Sequence, residues 1–270
     1  MGGNKWRKLI YNVLEAKRRR QDTLLTFGGA YSNHIYATAA AGNLLGFDTI
    51  GIIRGEHPAT LSPTLEYAQS KGMKLKFISR SEYREKTRPS FIKSLREQFG
   101  DFYCLPEGGS NSLAIQGVGE VIGELSEQLP QRKTICCAAG TGGTLAGLVN
   151  IQSTNDEVLG IAVLKNSGWL EDEIHRFVSK KAIENKWSIN NDYHFGGYAK
   201  YDQSLIEFIV DFKSQFNIQL EPVYTGKLVF GLFDLINNNT FSPGSNIVAI
   251  HSGGLQGLKG FKEFTHEKFQ

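Results

Sequence analysis

The chain has 270 residues, 40% of them hydrophobic, which is enough to bury a sizeable core in one large or two modest domains. Its 30 basic and 27 acidic side chains give a net charge of +3 spread along the chain, and this near-balance argues against a nucleic-acid-binding protein. No apolar run is long enough to span a bilayer, and the N-terminus lacks the apolar stretch of a signal peptide. We therefore expect a cytoplasmic protein with small-molecule partners and neither nucleic-acid nor membrane partners.

The cysteines and histidines do not form a metal-binding pattern. The three cysteines, at positions 104, 136 and 137, are an odd number, and two of them are neighbours in an apolar run, as expected for reduced thiols in a core. The six histidines are scattered, without an HExxH motif or a CxxC pair. We expect no metal site.

Short apolar runs alternate with amphipathic stretches, a pattern typical of parallel strands joined by helices. Strands are predicted at residues 23–27, 49–53, 75–78, 102–105, 134–138, 158–163 and 247–250. Helices are predicted at residues 6–17, 32–45, 61–70, 81–99, 112–128, 144–151, 170–181, 203–216 and 226–237. The sequence predicts an α/β protein with two open, mainly parallel sheets flanked by helices.

Proline and glycine at residues 105–109 (Leu-Pro-Glu-Gly-Gly) indicate a crossing between the two predicted sheets. Residues 23–110 contain several strand and helix units in succession and are predicted to form a small α/β domain. Residues 1–22 and 111–270 are predicted to form the large one.

Lys5 is the first candidate for chemistry. It stands near the start of the first predicted helix, with Arg7 and Lys8 three residues or fewer away. Crowding by like charges lowers the pKa of a lysine, and a neutral lysine is a nucleophile toward aldehydes. The sequence thus predicts a reactive amine at position 5.

Three glycine-bearing turns follow predicted strands, at residues 28–34, 140–144 and 251–254. Ligands of parallel sheets bind beyond the carboxyl ends of the strands, so we expect these turns to converge on one cleft. In the second turn a strand runs into a helix, and its bare backbone amides could cradle a phosphate. A reactive amine combined with a phosphate-binding turn indicates pyridoxal phosphate as cofactor.

A nucleotide site is the alternative for the turn at residues 140–144. The dinucleotide fingerprint G-x-G-x-x-G would require glycine where Leu145 stands, and Lys165 and Asn166 occupy the place of its acidic residue. A Walker loop also fails, because no Gly-Lys-Ser or Gly-Lys-Thr follows. A nicotinamide-dependent oxidoreductase stays open as the less favoured interpretation.

Four motifs occur in order along the chain: residues 2–9 (Gly-Gly-Asn-Lys-Trp-Arg-Lys-Leu), 32–34 (Ser-Asn-His), 140–144 (Gly-Thr-Gly-Gly-Thr) and 222–227 (Pro-Val-Tyr-Thr-Gly-Lys). Through them the chain resembles, over almost its whole length, the 1-aminocyclopropane-1-carboxylate deaminase and D-cysteine desulfhydrase family. These are fold type II, tryptophan-synthase-β-like pyridoxal phosphate enzymes. The resemblance implies their two-sheet fold, their cofactor and a homodimer.

The resemblance assigns cofactor-binding roles. Lys5 matches the lysine that bonds to the cofactor aldehyde, and Lys8 matches a lysine that reaches the phosphate alongside the amides of residues 140–144. Asn33 would hydrogen-bond the pyridine 3-oxygen, and Thr225 would partner the pyridine nitrogen. The implied cofactor-binding set is Lys5, Lys8, Asn33, Gly140, Thr141, Gly142, Gly143, Thr144 and Thr225.

The resemblance also implies a substrate site, in which Ser32 and His34 would hold the substrate carboxylate at the positive end of a helix. The implied substrate-binding residues are Ser32, Asn33, His34 and Ser252. The implied catalytic residues are Lys5, Ser32, Tyr198 and Tyr224.

Each candidate has a purely structural alternative. Ser32 and Thr225 could cap helices, and Asn33 could stabilise its own turn. The two tyrosines could be ordinary half-buried aromatics, and Lys5 could be an exposed lysine at a helix start.

Position 225 distinguishes the two branches of the family. The deaminase branch has a glutamate there, which keeps the ring nitrogen protonated, and a leucine at the place of Ser252. Thr225 and Ser252 resemble the desulfhydrase branch, and elimination of a thiol from the β-carbon needs a weaker electron sink than opening a cyclopropane. The sequence therefore predicts a D-cysteine desulfhydrase-like elimination giving pyruvate, ammonia and sulfide, with Lys5 removing the α-proton. 1-Aminocyclopropane-1-carboxylate deaminase is the alternative.

The chain departs from the family pattern at its N-terminus. Family members carry a segment before the Gly-Asn-Lys motif, whereas this chain begins almost at the motif. The expected fold is therefore N-terminally shortened, with an exposed sheet edge and Lys5 near a terminus. The alternative of another class is a truncated, catalytically weak or inactive homologue that still binds pyridoxal phosphate.

Overall fold

The computed structural model describes residues 3–179, 182 and 184–261. In chain order its elements are α1 (Asn4–Arg18), β1 (Thr23–Gly28), α2 (Asn33–Leu45), β2 (Asp48–Arg54), α3 (Pro63–Ser70), β3 (Lys74–Ile78), α4 (Arg80–Arg84), α5 (Pro89–Phe99), β4 (Tyr103–Cys104), α6 (Ser112–Gln128), β5 (Lys133–Ala139), α7 (Gly143–Ile151), β6 (Glu157–Ala162), α8 (Trp169–His175), β7 (Trp187–Asn190), α9 (Gln203–Phe216), α10 (Thr225–Asn237) and β8 (Asn246–Ala249). Short 3-10 turns occupy Glu107–Gly109 and Leu255–Gly260.

The strands form two four-stranded sheets, and all strand pairs in both are parallel. The strand order is β3-β2-β1-β4 in the first sheet and β7-β6-β5-β8 in the second. Helices follow the strands in the sequence, as parallel connections require. The predicted α/β class with two parallel sheets is confirmed.

The described residues divide into two compact units. The first contains residues 5–110 and 256–261 with the first sheet, and the second contains residues 3–4 and 111–255 with the second sheet. The predicted division into residues 23–110 and residues 1–22 with 111–270 stays a prediction. In the described part of the chain, no helix has both the length and the apolar character needed to cross a bilayer.

Helix α1 packs in the first unit through apolar residues spaced three or four apart. Leu9, Val13 and Ala16 are buried in a cluster with Leu24 of β1 and Tyr103 of β4. Full burial of an aliphatic side chain of this size stabilises a fold by about 1.5–3 kcal/mol. These contacts hold the middle and the C-terminal part of α1, the helix that begins at Asn4.

The core of the second unit supports the turn after β5. Val118 and Ile122 of α6 pack with Leu145 and Leu148 of α7 and with Val158 of β6. All five side chains are buried. The start of α7 is consequently held against the sheet by its own apolar face.

Three details of the predicted elements are wrong. The helix predicted at residues 81–99 is two helices, because Pro89 begins α5 and the preceding Arg88 is extended (φ −73°, ψ 133°). The helix predicted at residues 170–181 ends at His175, and residues 180 and 181 lie outside the described part of the chain. Strand β7 is absent from the prediction, because only Trp187 and Ile189 supply its apolar alternation.

Candidate active site

In the first unit the strand order reverses beside β1. The chain runs from β1 through β2 to β3 on one side, and β4 lies on the other side of β1. Ligands of open parallel sheets bind beyond the carboxyl ends of the strands at such a reversal. Residues 28–34, after β1, and residues 105–110, after β4, occupy this position.

Two lysines of α1 converge on the turn that follows β4. Lys5 Nζ lies 3.4 Å from the carbonyl oxygen of Gly108, and Lys8 Nζ lies 3.3 Å from the same oxygen. Lys8 Nζ also donates to Ser110 Oγ at 3.1 Å. The carbonyl oxygen of Gly108 therefore lies within hydrogen-bond distance of two amines whose residues are one turn apart in α1.

Burial lowers the pKa of Lys5 to about 8. The direction of this shift was predicted from the sequence, but its cause is different, because loss of hydration lowers the pKa rather than crowding by like charges. With a pKa near 8, a larger fraction of the Lys5 amine is neutral at physiological pH than for an ordinary lysine.

His34 lies beside the two lysines, in the first turn of α2. It is fully buried, and neither ring nitrogen has a hydrogen-bond partner among the described residues. A Cβ at position 109 would lie 2.7 Å from His34 Cε1, so the ring abuts Gly109. Burial, and then the charges of Lys5 and Lys8, hold the pKa of His34 well below its usual range. The imidazole is thus neutral, with one donor and one acceptor unsatisfied.

Ser32 and Asn33 both make local contacts at the start of α2. Ser32 is its N-cap, and Ser32 Oγ accepts a hydrogen bond from the Ile35 amide at 3.3 Å. Asn33 Oδ1 accepts from Gln256 Nε2 at 2.6 Å. This bond uses the amide oxygen of Asn33 and not the amide nitrogen, which is the donor that a phenolic oxygen of a cofactor would need. Gln256 carries no sequence signal that would have identified it.

The second unit has a matching reversal at β5. Strands β6 and β7 lie on one side of β5 and β8 lies on the other. The turn at residues 140–144 follows β5, and residues 250–254 follow β8. Both therefore lie at the position in this sheet where ligands bind.

The turn after β5 has the form of an anion-binding site. Gly142 is left-handed (φ 74°) and is the N-cap of α7, and as a glycine it has no side chain with which to cap the helix. The first amides of a helix have no intrahelical acceptor, and they carry the positive end of its dipole. The turn therefore presents backbone donors to an anion.

Residues 3 and 4 connect this turn to the loop after β8. Asn4 Nδ2 donates to Thr144 Oγ1 at 2.7 Å. Gly3 is left-handed (φ 81°), and a Cβ on it would lie 2.7 Å from the carbonyl carbon of Ser252. Asn4 is thereby held at the first turn of α7, and it directly precedes Lys5 in the chain.

The two candidate tyrosines form a pair in the second unit. Their rings pack edge to face, with centroids 6.1 Å apart. Tyr224 also lies against the turn after β5, because a Cβ at position 140 would be 3.3 Å from Tyr224 Cε1. Tyr198 is 44% exposed, so part of its surface is accessible from solvent.

Thr225 is 1% exposed, and both of its hydroxyl contacts are to Glu221. Thr225 Oγ1 accepts from the Glu221 amide at 2.9 Å and donates to Glu221 Oε1 at 3.3 Å. Its predicted bond to a pyridine nitrogen would have to coexist with or replace the second contact.

Glu221 is a buried acidic residue beside Thr225 that was not predicted from the sequence. Its buried carboxylate accepts hydrogen bonds from the amides of Val223, Tyr224 and Thr225 at 2.7–2.8 Å. Burial raises the pKa of this carboxyl, and these bonds oppose the rise. An acidic residue shortly before a helix was the available signal, because carboxylates stabilise helix N-termini.

The candidates thus fall into two groups. Lys5, Lys8 and His34 surround the Gly108–Gly109 turn in the first unit, with Ser32 and Asn33 at the start of the same α2 helix. The second unit holds the anion-binding turn, the tyrosine pair, Thr225 and Ser252. Among the described residues, no group of three or more His, Cys, Asp or Glu side chains could bind a metal ion.

Comparison with known proteins identifies relatives over most of the chain. Residues 1–253 match a family described as pyridoxal-phosphate dependent enzyme. The bifunctional D-cysteine desulfhydrase/1-aminocyclopropane-1-carboxylate deaminase, mitochondrial, of Arabidopsis thaliana is 32% identical over 96% of this chain and 70% of its own length. The D-cysteine desulfhydrase of Salmonella newport is 30% identical over 96% of this chain and 84% of its own length. A crystal structure of an ACC deaminase homologue, 30% identical, superposes with a TM-score of 0.81 over 95% of this chain and 81% of that chain.

Proposed function

The chain belongs to the family of pyridoxal-phosphate dependent enzymes, and within it we propose a lyase that converts D-cysteine and water into pyruvate, ammonia and hydrogen sulfide. Its fold is that of the type II enzymes of this family, with two open parallel sheets flanked by helices. The observation that best supports the proposal is the bond between Asn4 and Thr144. This bond holds Asn4, the residue directly before Lys5 in the chain, at the first turn of α7.

The residues present fit pyridoxal phosphate. When bound, the cofactor withdraws electrons from the substrate α-carbon and so acidifies the α-proton. The amine of Lys5 is the group that would bond to its aldehyde carbon, and the amides of residues 140–144, with Lys8, would hold its phosphate. The left-handed glycine at the N-cap of α7 supports this assignment. Asn33 would bond the 3-oxygen, and Thr225 the ring nitrogen.

Lys5 is also the proposed general base. When it is not bonded to the cofactor, the amine of Lys5 would accept the α-proton at Nζ. A base works best when its pKa lies near the working pH, and burial lowers the pKa of Lys5 to about 8. Tyr198 and Tyr224 would lie at the β-substituent, where a phenol can donate a proton to the departing thiolate.

The substrate carboxylate would bind at the start of α2. The helix N-terminus is positive there, and Ser32, Asn33 and His34 begin the helix. The neutral imidazole of His34 can donate one hydrogen bond without adding a charge, and we include Ser252 as a further contact to the substrate.

Thr225 supports sulfide elimination over cyclopropane opening. Its hydroxyl is neutral, and it is already hydrogen-bonded to the buried Glu221. A neutral partner stabilises a protonated ring nitrogen less than a carboxylate does, which weakens the electron sink. The alternative activity is 1-aminocyclopropane-1-carboxylate deaminase, because the name of the Arabidopsis relative includes both activities. An inactive pyridoxal phosphate-binding homologue is the alternative of another class, and a homodimer stays a prediction.

A parallel assay tests the function. Purified protein loaded with pyridoxal phosphate is supplied with D-cysteine, L-cysteine or 1-aminocyclopropane-1-carboxylate, and sulfide, pyruvate and 2-oxobutyrate are measured. We expect sulfide and pyruvate in equal amounts from D-cysteine, with kcat/KM at least about tenfold above the value for the cyclopropane substrate. A preference for 2-oxobutyrate formation would support the alternative activity. Bound cofactor without turnover of any of the three would support the inactive homologue.

The rate of cofactor attachment should rise with pH around a midpoint near 8. With a pKa of about 8, about one Lys5 amine in ten is neutral at pH 7. For an ordinary lysine near 10.4, the neutral fraction is about one in 2,500. Only the neutral amine attacks the aldehyde, so the rate should level off once Lys5 is deprotonated. Stopped-flow absorbance of apoprotein mixed with pyridoxal phosphate measures this profile, with N-α-acetyl-lysine as the reference amine. A protein midpoint equal to that of the reference would contradict the lowered pKa.

A further inference from the structure

Lys227 is a fully buried cation outside the site described above. It lies in the first turn of α10, three residues after Tyr224, and it is among the largest fully buried side chains. A charged lysine is removed from water only at high cost unless polar groups replace its hydration. The atoms around its ammonium therefore indicate what it does.

Three backbone carbonyls surround the ammonium. Lys227 Nζ donates to the carbonyl oxygens of Gly197 at 2.7 Å and His194 at 2.8 Å, and it lies 3.4 Å from that of Val163. A lysine ammonium has three donors, so the three carbonyls can use all of them. Burial lowers the pKa of Lys227 to about 8, and the buried carboxylate of Glu221 opposes this shift by favouring the charged form. Val163 directly follows β6, so Lys227 joins the end of this strand to residues 194–197.

Residues 194–200 have an unfavourable backbone. Phe195 and Ala199 are left-handed at φ 52° and 54°, a conformation that costs about 1–2 kcal/mol for a residue with a side chain. Gly196 and Gly197 between them are also at positive φ. Such a backbone persists only where its surroundings hold it. The His194 carbonyl also accepts from the Gly197 amide at 2.9 Å, and the Gly197 carbonyl also accepts from the Lys200 amide at 3.1 Å. The contacts to Lys227 are the side-chain bonds that hold these two carbonyls inward.

Tyr198 directly follows Gly197. Its ring packs edge to face on Tyr224, which immediately precedes α10. Lys227 is therefore connected to both tyrosines, since its backbone lies in the helix that follows Tyr224 and its ammonium binds the carbonyl of the residue before Tyr198.

We propose that Lys227 is a positioning residue: by binding the carbonyls of His194 and Gly197, it fixes Tyr198 against Tyr224 in the arrangement that turnover requires. This inference rests on the proposed function, in which both tyrosines lie at the substrate. Lys227 itself touches neither substrate nor cofactor in this account.

The first measurement is hydrogen exchange of the apoprotein, which does not depend on catalysis. Lys227→Met keeps the length of the side chain and removes its charge and donors. We expect the amides of residues 195–199 to exchange at least about tenfold faster, while those of α7 keep their wild-type rates. Lys200→Met is the matched control, because Lys200 is exposed in the same segment. Wild-type exchange at residues 195–199 in Lys227→Met would overturn the inference whatever the enzyme catalyses.

The second measurement is a double-mutant cycle with Tyr198→Phe on the loaded enzyme. We expect Lys227→Met to lower kcat/KM for D-cysteine about 100-fold in the wild-type background, with the cofactor content unchanged. In the Tyr198→Phe background the same substitution should cost less than about threefold, because the residue it positions is already impaired. Equal losses in the two backgrounds would show that Lys227 does not act through Tyr198.

Lys227→Arg serves if Lys227→Met does not fold. It retains a cation with donors, so we expect a folded protein with a smaller loss of kcat/KM that likewise disappears in the Tyr198→Phe background. A loss that persists undiminished there would reject the inference. If the wild-type protein turns over none of the amino acids tested, the proposed function fails, and the exchange experiment still decides whether Lys227 holds the segment.

Discussion

Lys5→Ala should lower kcat/KM for D-cysteine by about 10³-fold or more. The substitution removes the amine proposed to bond with the cofactor and to accept the α-proton, and a positioned general base alone contributes about 10²–10⁴-fold. Noncovalent binding of pyridoxal phosphate should survive, because the amides of residues 140–144 are unchanged. Turnover is measured by sulfide release, and retained cofactor by equilibrium dialysis.

Lys17→Ala is the matched control for this variant. Lys17 lies on the same helix and is exposed, so its removal tests whether any loss of a cation from α1 impairs the enzyme. We expect wild-type kcat/KM from Lys17→Ala. If Lys5→Ala retained more than about a tenth of wild-type activity, Lys5 would not be the general base. A loss of less than about tenfold is far smaller than the loss expected when a general base is removed.

Gly3→Ala should lower kcat/KM about 100-fold without touching a reacting group. Gly3 is left-handed, and a methyl group on it would overlap the carbonyl of Ser252. The backbone of residues 3 and 4 would have to move, and the bond from Asn4 to Thr144 would be lost with it. A displacement of about 1 Å at a catalytic group can cost about 10²-fold in rate. Steady-state kinetics and the amount of bound cofactor measure the effect.

Gly72→Ala separates the effect of position from that of backbone conformation. Gly72 is also left-handed (φ 86°), but a Cβ on it would meet no atom within 4 Å. It should lose about 1–2 kcal/mol of stability and keep wild-type kcat/KM. Equal kinetic losses in the two variants would mean that the contact between Gly3 and Ser252 has no special importance.

The sequence contained most of the information about the fold. Strands β1, β2, β5 and β6 are apolar runs bounded by glycine or polar residues, and their predicted centres agree with the structure. The wrong predictions concern elements that depend on tertiary contacts or that have only a short sequence signal. Strand β7 has four residues at the edge of its sheet, and the break before Pro89 required weighing one proline against a long helical pattern.

The sequence likewise indicates some residues of the candidate site and not others. Lys5 and the turn at residues 140–144 could be proposed as candidates from the sequence, because each lies in a short motif of neighbouring residues. Lys227 could not be assigned a role, because its acceptors are 30–64 residues away and depend on left-handed Phe195 and Ala199. The cause of the lowered pKa of Lys5 was also inaccessible, since burial depends on residues distant in sequence.

Chemical mapping of the cofactor attachment shows which lysine bonds to pyridoxal phosphate. The holoenzyme is reduced with borohydride, which converts the bond between amine and cofactor into a stable one, then digested and analysed by mass spectrometry. We expect one modified peptide, carrying the pyridoxyl phosphate group on Lys5, and none from Lys5→Ala. Attachment to a different lysine, or a wild-type protein with no modified peptide, would contradict the account.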